Sequence, residues 1–146
     1  MVTARASVHD DRLVTTDLAL AARALIADER GGPALLEALG DAGRVGDRCG
    51  GTLPEIVIVG EVGGCVLGYA LLVVSGHVGV ISELFVAPEA RGVGLGHELL
   101  AEALSTLRIA RCTRADTAAL PGDRATKNFF EAHGLVTRLL TPSRAL

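Results

Sequence analysis

Three apolar runs in the middle of the chain, separated by turns of two residues, narrow its possible folds more than any other feature. Glu55–Glu61 carries Ile56, Val57, Ile58 and Val59 and stops before Gly63–Gly64. Cys65–Ser75 follows and stops at Gly76–His77, and Val78–Val86 is the third run. Runs of this length bounded by glycine read as strands. A two-residue link can only join antiparallel neighbours. The sequence therefore predicts an antiparallel meander, and the continuous apolar character of its strands predicts cover on both faces.

The flanking segments supply that cover. Thr3–Val8 is a weakly patterned first strand. Thr16–Asp17 start a helix bearing Leu18, Leu20, Ala21, Leu25 and Ile26, which Gly31–Gly32 stop; Pro33 then opens a short second helix with Leu35, Leu36 and Leu39. Gly40–Leu53 is rich in Gly, Asp and Arg and reads as a long loop, a kind of segment that often carries function. Beyond the meander, a helix from about Gly94 to Arg108 gathers Leu95, Leu99, Leu100, Ala103, Leu104 and Leu107 on one side. Cys112–Ala118 reads as a strand, Asp123–His133 as a capped helix closed by Gly134, and Leu135–Leu140 as a last strand. The order β-α-α-β-β-β-α-β-α-β places the chain in the α/β (α+β) class, with one domain over 1–146.

Composition narrows the function. The chain has 146 residues, 49% hydrophobic and 21% charged, enough to bury one core. Its net charge of -3 removes the electrostatic motive for nucleic-acid binding. The first residues show no secretory pattern, and the most apolar stretch, Cys65 to Ile81, falls short of the ~20 residues of a membrane-spanning helix. Cys49, Cys65 and Cys112 are odd in number and scattered, with no histidine at ligand spacing. These features lead us to expect no metal, no membrane and a reducing, cytoplasmic setting.

The segment Arg91-Gly92-Val93-Gly94-Leu95-Gly96 carries the chemistry. Three glycines between a strand and an amphipathic helix leave backbone N–H groups uncovered, and the helix N-terminus adds roughly half a positive charge at the same place. Together these suit a phosphate or pyrophosphate. In a Rossmann fingerprint the third glycine would fall where His97 stands, and a P-loop would need Lys-Ser/Thr where His97–Glu98 stand. The plain alternative is a glycine turn that serves only close helix packing.

A second segment, Asn128-Phe129-Phe130-Glu131-Ala132-His133-Gly134-Leu135, follows about thirty residues later. With Leu84-Phe85-Val86-Ala87-Pro88 ahead of Arg91, the pair of motifs resembles the GNAT superfamily of N-acetyltransferases. There a strand ends in a Val-x-Pro-like step before (Arg/Gln)-x-x-Gly-x-(Gly/Ala), and a later helix carries an Asn-Phe-Tyr-Glu-x-x-Gly-Phe-like pattern. The resemblance implies a mixed, mostly antiparallel central sheet flanked by helices, acetyl-CoA as cosubstrate and a primary amine as acceptor. It implies that the turn from Arg91 through Gly92, Val93, Gly94 and Leu95 to Gly96 cradles the CoA pyrophosphate, with His97 adding a contact. It also implies that the backbone of Phe85 and Val86 pairs with the pantetheine, that Asn128 touches the same arm, and that Phe130 lies near the thioester.

Acetyl transfer to an amine needs a base and a proton for the leaving thiolate. A tyrosine often stands where this chain has Phe130, and a phenyl ring has no proton to give. That departure favours a rival reading, a non-catalytic acyl-CoA-binding regulatory domain. Glu83 is the candidate base: strand alternation groups it with Ile81 and Phe85, and a carboxylate between apolar residues is costly unless paired or solvated in a cleft. Its plain alternatives are a solvated strand residue and a partner for an arginine of the 40–51 loop. Tyr69, the only phenol, alternates with Leu67 and Leu71 and reads as a sheet-face residue, and His133 as a helix C-terminal residue. Asp10–Asp11 read as a solvated strand end. Leu135, Val136, Leu139 and Leu140, beside an open sheet edge, predict a homodimer.

Overall fold

A computed structural model describes residues 1–146. Its strands are β1 (Val2–Ala6), β2 (Glu55–Val62), β3 (Cys65–Ser75), β4 (Val78–Val86) and β5 (Arg114–Thr117). Its helices are α1 (Arg12–Ala27), α2 (Gly32–Leu39), α3 (Gly43–Gly46), α4 (Leu95–Ile109) and α5 (Arg124–Ala132), with 3-10 turns at His9–Asp11 and Pro88–Ala90. The five strands form one sheet in the order β1-β2-β3-β4-β5, antiparallel from β1 to β4, with β5 parallel to β4. The expected mixed, mostly antiparallel sheet flanked by helices is present, and the meander strands have the expected bounds except that β2 runs one residue further, to Val62. No helix is long and apolar enough to cross a membrane.

A core lies on each face of the sheet. On one, Ile58, Ala70, Leu72 and Ile81 meet Leu95, Leu99, Leu100, Ala103 and Leu107 of α4, with Phe130 of α5 joining them. This helix lies close because the strands beneath it carry glycine: a methyl added at Gly79 would sit 2.4 Å from Leu107 Cδ2. On the other face Val57, Val59, Tyr69, Leu71 and Phe85 meet Ala19 and Ala22 of α1 and the Ala42–Cys49 segment. Small residues on α1 let it approach the sheet.

Four expectations are corrected. Helix α1 begins at Arg12 rather than Thr16, because Asp11 is buried instead of solvated: it accepts from the Val8 N–H at 2.8 Å and pairs with Arg5. The hydrogen bond from Arg5 holds the Asp11 carboxyl below the usual carboxylate range. The 40–53 segment contains the short α3, whose Gly46 backbone lies directly against Arg12 and Thr16 of α1. Finally, Leu135–Leu140 forms no strand. No neighbouring strand offers it a ladder: the Leu135 N–H returns to the Phe130 carbonyl at 3.0 Å, and Leu139 and Leu140 are 84% and 79% exposed.

The fourth correction concerns faces. Opposite Leu72 and Leu71 of β3 stand Ile81 and Glu83, so Ser82 is an extra residue, a β-bulge. Ile81 therefore packs under α4, while Glu83 and Phe85 face α1. A second bulge pairs Gly60 with Gly68 and Glu61 with Val66, so Leu67 packs under α4 and parts company with Tyr69.

Candidate functional site

Strand β4 outruns its neighbour. It pairs with β5 only from Val78 to Ile81, where the Thr117 hydroxyl donates to the Ile81 carbonyl at 3.0 Å. Ser82 to Val86 have no strand on that side. The Ala87 N–H donates to the Leu67 carbonyl of β3, so alternation turns Phe85 toward β3 and leaves the backbone groups of Leu84 and Val86 facing outward. Along this free edge runs a cleft of about 760 Å³ with the edge as its floor. Its walls are α1, α2, residues 118–120 and α5, and the glycine turn closes one part of it.

The turn has the geometry its composition predicts. Gly92 and Gly94 have φ of 81° and 91°, the left-handed region where glycine is unstrained, and a Cβ at either would meet nothing within 4 Å. Gly94 is the N-cap of α4 and no side chain caps the helix. The first helical bond runs from the Glu98 N–H to the Gly94 carbonyl, so the amides of Leu95, Gly96 and His97 have no partner within the helix. Arg91 lies alongside, its Nε donating to the Val86 carbonyl at 3.2 Å.

Residues 34–135 match the model of the "Acetyltransferase (GNAT) family". The chain belongs to that family. Its fold is shared with known GNAT structures. One is AAC(6')-Iy in complex with the bisubstrate analogue CoA-S-monomethyl-acetylneamine (TM-score 0.70, 14% identity, 100% of this chain and 99% of that one). Others are the ribosomal-protein-alanine N-acetyltransferase of Brucella melitensis biovar Abortus 2308 (0.70, 14%, 100% and 98%) and the glucosamine-6-phosphate N-acetyltransferase of Arabidopsis thaliana (0.69, 13%, 99% and 98%). No curated protein matches the chain in sequence.

Within this GNAT cleft the structure gathers Glu83, Phe85, Val86, Arg91, Gly92, Gly94, Leu95, Gly96, His97 and Phe130. Val93 is 52% exposed and, like Asn128, does not line it. Helical spacing explains Asn128: Thr126, Phe129, Phe130 and His133 share the inner face of α5, which turns Asn128 to solvent. Asp123, the N-cap of α5, lines the cleft instead, its carboxylate accepting from the Thr126 N–H.

Glu83 is buried and fully oriented. Arg23 of α1 grips it with two hydrogen bonds, Nη1 to Oε1 at 2.9 Å and Nη2 to Oε2 at 3.2 Å, and the Tyr69 hydroxyl donates to Oε1 at 2.7 Å. Arg23 also donates to the carbonyls of Gly40 and Ala19. The arginine thus comes from α1, and the 40–51 loop contributes only a carbonyl. Burial, then the Glu83 charge, pushes the Tyr69 phenol far above its ordinary value. Burial pulls the Arg23 guanidinium down, but the hydrogen bond and charge of Glu83 together with Tyr69 outweigh it, and the net shift is upward. Arg23 was absent from the sequence reading, yet it carried a signal: it falls between Ala19, Ala22 and Ile26, on the inward stripe of α1, where a cation needs a buried anion.

At the mouth, His97 Nδ1 lies 2.9 Å from His133 Nε2, and His133 Nδ1 lies 2.7 Å from the Phe129 carbonyl. A carbonyl only accepts, so His133 Nδ1 carries a proton. In the neutral pair His133 Nε2 then accepts from His97 Nδ1, which leaves His97 Nε2 as an open acceptor. Glu29, in the turn between α1 and α2, completes the rim; burial first, then the nearby Asp123 charge, raises its carboxyl.

Proposed function

We propose that this chain transfers an acetyl group from acetyl-CoA to a primary amine. One observation carries the reading: a single cleft joins the uncapped N-terminus of α4 and its glycine turn to the free edge of β4 and to Glu83. The residues suit the cosubstrate. The open space that a Cβ at Gly92 or Gly94 would fill, together with the amides of Leu95, Gly96 and His97, suits a pyrophosphate. The outward backbone of Leu84 and Val86 suits an extended arm added beside β4.

Acetyl-CoA supplies a thioester whose carbon the amine attacks, so that a C–N bond forms, the C–S bond breaks and CoA leaves as thiolate. For this the amine must shed a proton. Glu83 is the acceptor we assign to it, directly or through water, because Arg23 and Tyr69 take three of the four lone-pair directions of its carboxylate and leave one. Phe130 has no proton for the thiolate, and the Tyr69 hydroxyl is committed to Glu83. The thiolate therefore leaves as the anion or takes a proton from water, which a thiol of pKa ~8.5 permits near neutrality.

The test follows free thiol release with acetyl-CoA and a panel of amines, beside CoA affinity by calorimetry. Glu83→Gln should lower the rate about 10²–10⁴-fold with CoA affinity unchanged. A full rate in that variant removes Glu83 from the chemistry. Tight CoA binding with no thiol release for any amine would instead favour the regulatory CoA-binding domain, a reading that the phenyl ring at Phe130 supports. Three free cysteines, one of them buried, support a reducing cytoplasmic setting.

A further inference from the structure

Resting on that transfer reading, we propose that the acceptor is a small primary amine on an apolar body, an alkyl or arylalkyl amine, rather than a hydroxyl-rich or phosphorylated one. The wall that continues α1 beyond Arg23 is built from Leu25 and Ile26, with Leu35 and Leu39 of α2 and Leu120 beside them. None of these five side chains belongs to either core, and Leu25 is 45% exposed. They converge on the cleft from both helices and the 118–120 segment: a Cβ at Gly31, between α1 and α2, would already touch Leu120 at 3.5 Å. Apolar surface gathered in a concave site is covered by an apolar ligand.

Charge agrees with shape. The one arginine lining the cleft is Arg91, at the glycine turn; Arg23 lies behind Glu83 and is bonded to Glu83, Gly40 and Ala19. A phosphate or carboxylate on the acceptor would find no free cation along the leucine wall. Glu29 and Asp123 at the rim have no cationic partner, which suits an incoming ammonium and repels an anion. Sugar hydroxyls against five apolar side chains would lose water without replacement. The cleft of about 760 Å³ must also admit the CoA arm, which leaves room for a small acceptor.

The experiment measures kcat/KM at saturating acetyl-CoA for primary alkylamines from ethylamine to hexylamine, with glucosamine 6-phosphate and spermidine alongside. We expect about a fourfold rise per added methylene, as ~0.8 kcal/mol per buried CH2 implies. The two polar amines should fall at least tenfold below hexylamine. Ile26→Asp and Leu39→Asp should each cut kcat/KM for hexylamine at least tenfold while CoA affinity, which reports an intact fold, stays unchanged. A flat series, or glucosamine 6-phosphate or spermidine preferred to hexylamine, overturns the proposal. If no amine releases thiol, the transfer reading fails on its own. Calorimetry of the CoA-loaded protein then decides: alkylamine binding that tightens with chain length upholds the apolar site, and its absence overturns it.

Discussion

Glu83, Arg23 and Tyr69 form a buried unit in which each polar atom depends on the others. Removing one partner of such a pair strands a charge, whereas removing both with apolar groups restores a packed interior. Arg23→Met, which leaves Glu83 with Tyr69 alone, should lower stability in urea by about 3–5 kcal/mol. The double variant Arg23→Met/Glu83→Leu should lose less than that single change, a non-additivity that equilibrium unfolding will measure. Tyr69 adds a pH dependence. Its phenol is raised in the folded state, so the unfolded chain gives up that proton first as pH climbs. The contribution of Tyr69 is complete below pH ~10 and declines above it. Tyr69→Phe should flatten the fall in melting temperature between pH 10 and 11.

Among the elements, the turn before α4 makes separate demands on its glycines. Gly94 sits at positive φ, so any side chain there adds backbone strain to whatever it does to a ligand. Gly96 is unstrained, and an added Cβ would make ordinary contacts with Phe129 at 3.5 Å and Val86 at 3.8 Å. Gly96→Val is therefore the cleaner probe: it should fold, and it should weaken CoA binding at least tenfold by crowding the free amides of the first turn. Unchanged affinity would mean the turn serves packing alone. The turn and the meander were legible because their signals are local, glycines two residues wide between apolar runs. The bulge at Ser82 was not, since it exists only in the pairing of β4 with β3. The Arg23–Glu83 pair spans sixty positions and needed the fold to bring it together.

At the scale of the molecule, the tail after α5 keeps its apolar residues but has no strand to join. We propose that Val136, Leu139 and Leu140, all exposed, are covered in a homodimer; light scattering at micromolar concentration should give twice the 15.0 kDa of one chain. A mass of one chain would refute it. The sequence read this segment as a sixth strand because its composition suits one, but composition cannot supply a neighbour. The opposite situation holds in the middle of the sheet, where a neighbour is present and is held off. The spare residue in β4 bends the strand just where β5 stops following it. Deleting Ser82 would leave Ile81 under α4 and Glu83 toward α1, as ordinary alternation requires, and would give a straighter strand. The two strands could then zip further together and seal the floor of the cleft. In this protein a repair to the sheet would close the cleft: the opening beside β4 exists because the hydrogen-bonded lattice is left unfinished beyond Ile81.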